Sequence, residues 1–190
     1  MSLPLLTIQT NGPGLYEFTT RALGENFHSL PAAVQAFHSA GNRRYVGHAD
    51  ITRNRSLYGA LILKLAGFPP AGKAVPVTVT VEDVDNAEIW TRNFSGHLTR
   101  STIRFTGTPG IIEERLGPLT LRMRLSASPK GLHYAILSAT IFRIKAPRFL
   151  LPKSDTWETE DHAGDFHFSV TATAFMAGRL IHYHGSLKPQ

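Results

Sequence analysis

The sequence predicts a mainly β (α+β) fold: a curled antiparallel meander that forms a barrel or half-barrel, with two short helices near the N-terminus. From residue 75 onward, apolar and polar residues alternate over long stretches, which is typical of strands with one buried and one solvent-facing side. The connections between these stretches are short and rich in turn-forming residues, so consecutive strands are expected to pair. Helical spacing of apolar residues is confined to residues 30–66.

The first predicted helix covers residues 30–40. Ser29 is expected to cap its N-terminus, and Pro31 lies in the first turn, where its missing N–H is harmless. The apolar residues at helical spacing are Leu30, Val34 and Phe37, and Gly41 ends the segment. Residues 1–28 show only weak alternation and several turn residues, so they are predicted to be loop with at most one short strand.

A second helix is predicted from Ser56 to Ala66, ended by Gly67-Phe68-Pro69-Pro70. It is apolar on nearly every side, through Leu57, Tyr58, Ala60, Leu61, Ile62, Leu63 and Leu65. A helix that is apolar all round must be buried or covered. We therefore expect it to lie across the mouth of the curled sheet, with one side in the core and Ile62 and Leu63 at a ligand entrance or partner contact.

Strands are predicted on both sides of the second helix. Residues 43–52 form one, and the alternating stretches are 75–82, 119–126 and 166–174. Residues 132–144 form a further strand whose mixed pattern indicates cover on both faces, and residues 146–152 are a loop within the sheet. A meander of about seven or eight strands curls, because neighbouring strands rotate by about 20–25° relative to each other.

Composition limits the class of protein. The chain has 190 residues, of which 42% are hydrophobic and 18% charged, as expected for one globular domain over residues 1–190. Without cysteine, neither a disulfide framework nor a thiolate metal site is available. The N-terminal residues lack the pattern of a secretory signal, and Lys64 interrupts the longest apolar stretch, so we expect a cytoplasmic protein without a transmembrane segment.

A net charge of +6 raises the question of nucleic-acid binding. A basic stripe can be drawn from Arg100, Arg104, Arg122 and Arg124. The basic residues are nevertheless spread along the whole chain without a run of like charges, which favours a solvated sheet face. We therefore predict no nucleic-acid partner.

His182 and His184 have the most metal-like spacing, since alternate residues of a strand share a face. His167 lies beside them if adjacent strands pair. No carboxylate or further histidine follows in the sequence, so we favour two histidines on a solvated strand face. We predict no bound metal and no cofactor.

Candidate acid and base residues leave the question of catalysis open. Glu113 and Glu114 are adjacent in a strand and point to opposite faces, so they cannot act as a pair on one substrate. Asp165 and His167 share a face, either as an oriented base or as a turn aspartate beside a cross-strand polar contact. No G-x-S-x-G segment completes a hydrolase, and no residue is assigned a catalytic role.

Glu88, Trp90, Arg92 and Phe94 occupy one face of a predicted strand. If this face points outward, it is a contact patch for another chain or a packed helix. If it points inward, Trp90 supplies apolar surface, and Arg92 with Glu88 forms either a satisfied ion pair or an anchor for the acidic end of a ligand. An Arg–Trp stack that closes one end of a barrel is the alternative structural role.

Several short motifs share their order and spacing with a known family over residues 30–189. They are Leu30-Pro31 with Phe37-His38, Gly67-Phe68-Pro69 with Gly72, the alternating set Glu88, Trp90, Arg92, Phe94 and Gly96, Glu114 to Pro118, Gly164 to Phe168, and Gly178, Leu180, Tyr183, Gly185, Leu187 and Pro189. The chain resembles the DUF4166 family, a bacterial domain of unknown function often fused behind short-chain or saccharopine-type dehydrogenases. The resemblance implies a cytoplasmic bacterial protein linked to NAD(P)-dependent reductases. Because the chain has no G-x-G-x-x-G segment, any dehydrogenase activity would belong to that partner.

The leading functional hypothesis is a binding module that holds a small apolar or amphipathic molecule in a β-barrel-like cavity. The predicted ligand-binding residues are Trp90, Arg92, Phe94, Glu88, Glu114, Ile62 and Leu63. One alternative is a small enzyme of the cyclase, isomerase or hydrolase type that uses the same cavity through Asp165, His167, Glu114 or Arg92. The other is a docking domain for a reductase partner.

Overall fold

The computed structural model of the chain describes residues 18–39, 41–54, 59–60, 63–64, 67–84, 86–147, 149, 151–174 and 178–190. Strands make up 63% of the described residues, and the helices are short. The prediction of a mainly β protein is therefore confirmed.

The elements follow one another in the order helices, then strands. The helices are α1 (Phe18–Leu23), a 3₁₀ helix (Gly24–Ser29) and α2 (Ala32–Phe37). The strands are β1 (Arg43–Arg53), β2 (Gly72–Val84), β3 (Ala87–Phe94), β4 (His97–Phe105), β5 (Ile111–Leu116), β6 (Leu119–Ser128), β7 (Gly131–Ile141), β8 (Ile144–Lys145), β9 (Lys153–Glu160), β10 (Phe166–Ala174) and β11 (Gly178–Pro189).

The sheet closes on itself. Its order is β6-β5-β4-β3-β2-β1-β11-β10-β9-β7-β8, and β6 also pairs with β7, so ten antiparallel strands form a closed barrel while β8 attaches to β7 alone. Of the two predicted forms, the structure has the barrel and not the half-barrel. Where apolar and polar residues alternate in the sequence, the apolar side of the strand lies inside the barrel, as Val77, Val79 and Val81 of β2 show.

The contact between β1 and β11 depends on two glycines. A Cβ atom at Gly47 would meet the Ser186 carbonyl oxygen at 2.0 Å, and one at Gly185 would meet the His48 carbonyl oxygen at the same distance. Any larger residue at either position must displace backbone, so these glycines allow the two strands to approach where the barrel wall curves.

The helices fill one end of the barrel, which we call the plugged end. The turns after β2, β4, β6 and β9 lie at this end, and the Gly110 N–H after β4 donates to the Ala22 carbonyl at 2.6 Å. Phe37 of α2 stacks on Phe166 with ring centroids 3.8 Å apart and also contacts Tyr45 and Trp90 edge-on or tilted. The opposite end, with the turns after β3, β5, β7 and β10 and the segment between β1 and β2, is the open end.

The N-terminal prediction was wrong in two respects. Residues 18–29 are helical rather than loop, and Ser29 does not cap α2 because its hydroxyl donates to the Asn26 carbonyl at 2.7 Å. Leu30 is extended, as the residue before a proline tends to be, so α2 begins only after Pro31. The Glu160 carboxylate of β9 accepts from the Ala33 N–H at 2.8 Å and serves the helix as a distant cap.

Only part of the second predicted helix can be assessed. Residues 59–60 and 63–64 are helical, whereas Ser56, Leu57, Tyr58, Leu61, Ile62, Leu65 and Ala66 lie outside the described residues. The predicted end at Gly67 is confirmed, since Gly67 has φ 69° and the Phe68 N–H donates to the Leu63 carbonyl at 2.9 Å. No helix in the described part of the chain is long and apolar enough to cross a membrane.

The strand predicted over residues 132–144 ends earlier. Phe142 and Arg143 adopt φ values of 49° and 69° and form a two-residue turn, after which Ile144 pairs back with Ile141. The sequence offers no Gly or Asn at this turn, so its position could not be predicted from turn residues.

Replacing Phe37 with Ala should lower the free energy of unfolding by about 3–5 kcal/mol, because the stacked ring is almost wholly buried at the plugged end. The matched control is Phe142→Ala on the exposed turn, which should change it by no more than about 0.5 kcal/mol. Urea-induced unfolding followed by tryptophan fluorescence measures both. Equal stability of the two variants would contradict the assignment of Phe37 to the core.

Candidate functional site

A cavity of about 370 Å³ lies inside the barrel. Its wall is mostly apolar and is drawn from nearly every strand, including Val79, Ile103, Leu121, Met123, Ile136, Phe168, Val170 and Ala172. Phe37, Trp90 and Phe166 form its floor, directly above the helical plug. Toward the open end, Phe68, Pro118 and Ile141 line it. Volume and lining fit a site for one small, largely apolar molecule.

Arg92 is the main cationic group of the cavity wall. Its guanidinium donates to the Ser101 hydroxyl at 2.9 Å and to the Glu114 carboxylate at 3.3 Å. The same guanidinium lies 4.7 Å from the centre of the Trp90 ring. Strands β3, β4 and β5 bring these four residues together along a diagonal of the inner wall: Trp90 is opposite Ser101, and Glu114 is opposite Ile103, two residues further along β4. Arg92 is therefore already satisfied by the protein.

A second polar group is centred on Glu158 of β9. Its carboxylate lies 2.5 Å from His38 Nε2 and accepts from the Tyr134 hydroxyl at 2.9 Å. His38 Nδ1 in turn lies 3.0 Å from the Thr19 hydroxyl, which belongs to α1. Tyr134 and Glu158 line the cavity, whereas His38 and Thr19 are buried behind them. The arrangement is a hydrogen-bonded chain from the helical plug to the cavity wall.

Glu88 lies below the cavity and is sealed from it. Its carboxylate accepts from Arg43 at 2.7 Å and from the Trp90 indole N–H at 2.7 Å, and the side chain is almost fully buried. Arg43 and Trp90 thus provide a hydrogen bond to each oxygen of the Glu88 carboxylate. Arg43 Nε is buried and has no hydrogen-bond partner among the described residues.

Tyr183 contributes a hydroxyl that has no hydrogen-bond partner among the described residues. Its ring packs against Phe68, Phe94 and Phe168, and it lines the cavity. Burial raises the pKa of Tyr183 to about 12, with Arg92 opposing and the carboxylates of Glu114 and Glu158 adding to the rise. Within the described part of the chain, nothing forms a hydrogen bond with this hydroxyl. It remains a neutral donor and acceptor available to a ligand.

The structure brings together four of the predicted ligand-binding residues. Trp90, Arg92, Phe94 and Glu114 line one cavity, so the face of β3 that carries the first three points inward. The outward-facing contact patch considered for this face does not exist. Glu88 shares the face but lies below the cavity.

Of the two predicted entrance residues, Leu63 is described, and it does not join this site. Leu63 is fully buried in the core and is absent from the cavity lining. The Gly67 carbonyl accepts from the Thr99 hydroxyl at 2.8 Å and lies 3.0 Å from His97 Nε2. Ile62 lies outside the described residues.

Sequence reasoning missed Tyr134, Glu158 and Tyr183. Glu158 follows Ser154 and Thr156 at alternate positions of β9, so a polar inward face was visible, but no apolar alternation marked the segment as a strand. Tyr183 lies between His182 and His184, and the spacing of the two histidines indicated a metal site on their own face rather than a role for the residue on the opposite face. Adjacent residues of a strand face opposite ways, and this rule alone singles out Tyr183 as the inward residue.

Asp165, His167, His182 and His184 lie outside the cavity. His167 and His184 have ring centroids 6.2 Å apart and His182 and His184 5.2 Å, on the outer face of β10 and β11. Burial is the main cause of the lowered pKa of His167 and of His182, and His184 adds to both. Asp165 pairs with Lys188 at 3.0 Å. No group of three or more His, Asp or Glu among the described residues could hold a metal ion.

The arginines considered for nucleic-acid binding are exposed on the outer wall of β4 and β6. Glu113 faces the same way and sits opposite Arg104 on β4 and Arg122 on β6, whereas Glu114 faces inward. Glu113 and Glu114 therefore point to opposite faces of β5, as predicted. Carboxylates interrupt the basic surface, as on an ordinary solvated sheet face.

Tyr183 should make stability fall at high pH. The folded state keeps the phenol of Tyr183 protonated up to about pH 12, whereas a tyrosine in the unfolded chain releases its proton at about pH 10. The stabilisation is complete below the unfolded pKa and is lost as the pH rises toward the folded one. The free energy of unfolding of the wild type should therefore fall more steeply above pH 10 than that of Tyr183→Phe. Parallel slopes in urea titrations would refute the burial of this phenol.

The closed barrel, the inward face of β3 and the polar groups of the cavity all lie within the region that resembled a known family. No curated protein and no solved structure matches the chain. The model of one family, described as Domain of unknown function (DUF4166), matches residues 30–187, which is most of the chain. The chain therefore belongs to the DUF4166 family.

Proposed function

We propose that the protein binds one uncharged amphipathic small molecule in the barrel cavity. The observation that carries the proposal is an apolar cavity of about 370 Å³ in a closed barrel, with a few polar groups at fixed positions on its wall. Ligand sites in proteins are typically concave, mostly apolar and about 300–1,000 Å³ in volume, with a small number of polar groups that orient the ligand.

The charges around the cavity favour a neutral ligand. Arg92 is held by Glu114, and Glu158 is hydrogen-bonded by His38 and Tyr134. A ligand carboxylate would have to take Arg92 from Glu114 and leave that carboxylate beside it without its partner, which is costly in an apolar interior. The acidic ligand end considered from the sequence is therefore less suited to this site than an alcohol, ester, ketone or amide.

The hydroxyl of Tyr183 is the polar anchor we assign to such a ligand. It faces the cavity without a partner among the described residues, and its high pKa keeps it protonated at neutral pH. An unpaired hydroxyl in an apolar wall gains a hydrogen bond when a ligand hydroxyl or carbonyl reaches it.

Filling the cavity should abolish binding. Leu121 lines the cavity on β6. The Leu121→Trp variant should bind a fluorescent fatty alcohol about tenfold or more weakly than the wild type, while its free energy of unfolding should change by about 1–3 kcal/mol at most. The control is Leu98→Trp, which adds the same ring to an exposed position on the outer wall of β4. Fluorescence titration measures the affinities. If the two variants bind the probe equally well, the ligand does not occupy the cavity.

Removing the hydroxyl of Tyr183 should lower the affinity for ligands with a polar group and leave the affinity for purely apolar ligands unchanged. The Tyr183→Phe variant should bind a fatty alcohol about 2- to 10-fold more weakly than the wild type, which corresponds to the loss of one hydrogen bond worth about 0.5–1.5 kcal/mol. Its affinity for a hydrocarbon of equal length should be unchanged. In the wild type, the alcohol should bind more tightly than the corresponding fatty acid. A fatty acid that binds more tightly, with Arg92→Met removing the preference, would show that the ligand is an anion.

Catalysis in the same cavity is the second candidate. The observation that favours catalysis is the series of hydrogen bonds from Thr19 through His38 and Glu158 to Tyr134. It connects the Tyr134 hydroxyl in the cavity wall to a buried carboxylate and imidazole. Such a chain can move a proton to or from a ligand held at Tyr134. Of the four residues predicted for an enzyme, Glu114 and Arg92 line the cavity, and Asp165 and His167 do not. Chromatography of a ligand before and after incubation with wild type and Tyr134→Phe tests it, since only an enzyme alters the ligand.

The link to NAD(P)-dependent reductases, the bacterial origin and the cytoplasmic location remain predictions that rest on the family resemblance and on the N-terminal sequence. A reductase that makes or consumes a small apolar compound is a suitable partner for a module that holds one.

A further inference from the structure

We infer that the open end of the barrel docks onto the surface of an anionic lipid bilayer, so that the cavity exchanges its ligand with the membrane. The exchange rests on the proposed function. The docking rests on an exposed apolar tip, the conformation of the turn that carries it, and the distribution of charge along the barrel.

The apolar tip consists of Ile141, Phe142 and Ile144 on the hairpin between β7 and β8. Phe142 is 71% exposed, Ile144 75% and Ile141 45%. Phe149, in the connection that follows β8 at the same end, is 66% exposed. Large apolar side chains clustered in water at this density mark a surface that meets another apolar phase.

The turn at the tip is unfavourable for the residues it contains. Phe142 and Arg143 both have positive φ, at 49° and 69°, in a two-residue turn where Asn and Gly are strongly preferred. A bulky residue in this region of the backbone strains the chain, and such strain is found where a function requires it. The turn presents an aromatic and a cationic side chain together at the outermost point of the hairpin.

Charge is unevenly distributed between the two ends. Arg143, Lys145 and Lys153 are exposed around the tip, and none of them forms an ion pair in the described part of the chain. The described residues of the open-end connections include no Asp or Glu. Among the described acidic residues of loops and strand ends, Glu25, Asp83, Glu160, Asp161 and Asp165 lie at the plugged end. Asp50 lies toward the open end, where its carboxylate accepts from the Ala74 N–H at 2.7 Å. The open end therefore approaches a negatively charged surface in a preferred orientation.

The cavity meets the surface at this tip. Ile141 lines the cavity and is also exposed, and Ala146 and Pro152, in the connection from β8 to β9, line it as well. A bilayer that receives the tip thus comes into contact with the cavity mouth. A second copy of the chain is a poorer occupant, because the cations around the two tips, Arg143, Lys145 and Lys153, would repel their own copies.

The test is flotation of the full chain with vesicles of phosphatidylcholine containing about 30% phosphatidylglycerol, compared with pure phosphatidylcholine. The wild type should bind the anionic vesicles and be released as salt rises from about 0.05 M to about 0.5 M. Phe142→Ser with Ile144→Ser should weaken binding about tenfold or more, and Arg143→Gln with Lys145→Gln by a similar factor. The control pair, Val84→Ser with Lys130→Gln at the plugged end, should bind as the wild type does.

Binding of the fatty alcohol probe without vesicles is measured on the same proteins, and far-ultraviolet circular dichroism shows separately that each variant keeps the β-sheet signal of the wild type. If the vesicle results hold but no protein binds the probe, the proposed function fails and the docking stands. If the probe binds but the wild type does not float with anionic vesicles, or the tip variants float as well as the control, the docking is overturned. A tip that dimerises in sedimentation, or that retains a reductase while vesicles stay unbound, would likewise assign this surface to a protein partner and overturn it.

Discussion

The width of a ten-stranded barrel is the constraint on which the rest of the structure depends. About eight strands enclose a space that side chains alone can fill, and two more strands leave a larger interior. Here α2 enters one end, and Phe37 stacks on Phe166 to fill the space beneath Trp90. The helices extend no further, so the space above them remains as the cavity. Closure itself comes from β7, which pairs with β6 on one side and with β9 on the other.

Charged groups inside the barrel are arranged in layers. Glu88 and Arg43 form an ion pair below the floor, and Arg92 with Glu114 forms one at the cavity wall. Each charge has its partner on another strand, so the pairs hold register as well as neutralise each other. This is why we favour a neutral ligand: among the described residues, the charged groups of the wall already have hydrogen-bond partners, and the hydroxyl of Tyr183 has none. On the exposed surface, by contrast, the cations Arg143, Lys145 and Lys153 lie around an apolar tip at the open end and form no ion pair with another described residue.

The fold was predictable to the extent that alternation reports which side of a strand is buried. It identified β2, β6 and β10, and it placed Trp90, Arg92 and Phe94 on one face, but it could not say whether that face pointed inward, because closure depends on the distant pairing of β6 with β7. The helical residues 18–29 were missed since they carry little periodicity and are held by contacts such as Gly110 to Ala22. Tyr134 and Glu158 were missed because the register of β7 against β9 brings them together, and Glu158 meets His38 only through the packing of α2 on β9. Ser29 failed as a cap because Pro31 forces Leu30 to be extended.

Native mass spectrometry of the purified protein tests the central claim most directly. The account predicts a wild-type chain that carries one neutral amphipathic molecule, seen as a single adduct that is lost on collisional activation. The cavity-filled Leu121→Trp protein should appear without the adduct, and the surface variant Leu98→Trp should retain it. An adduct that persists unchanged in Leu121→Trp, or a wild-type chain that stays bare even after incubation with an excess of fatty alcohol, would contradict the account.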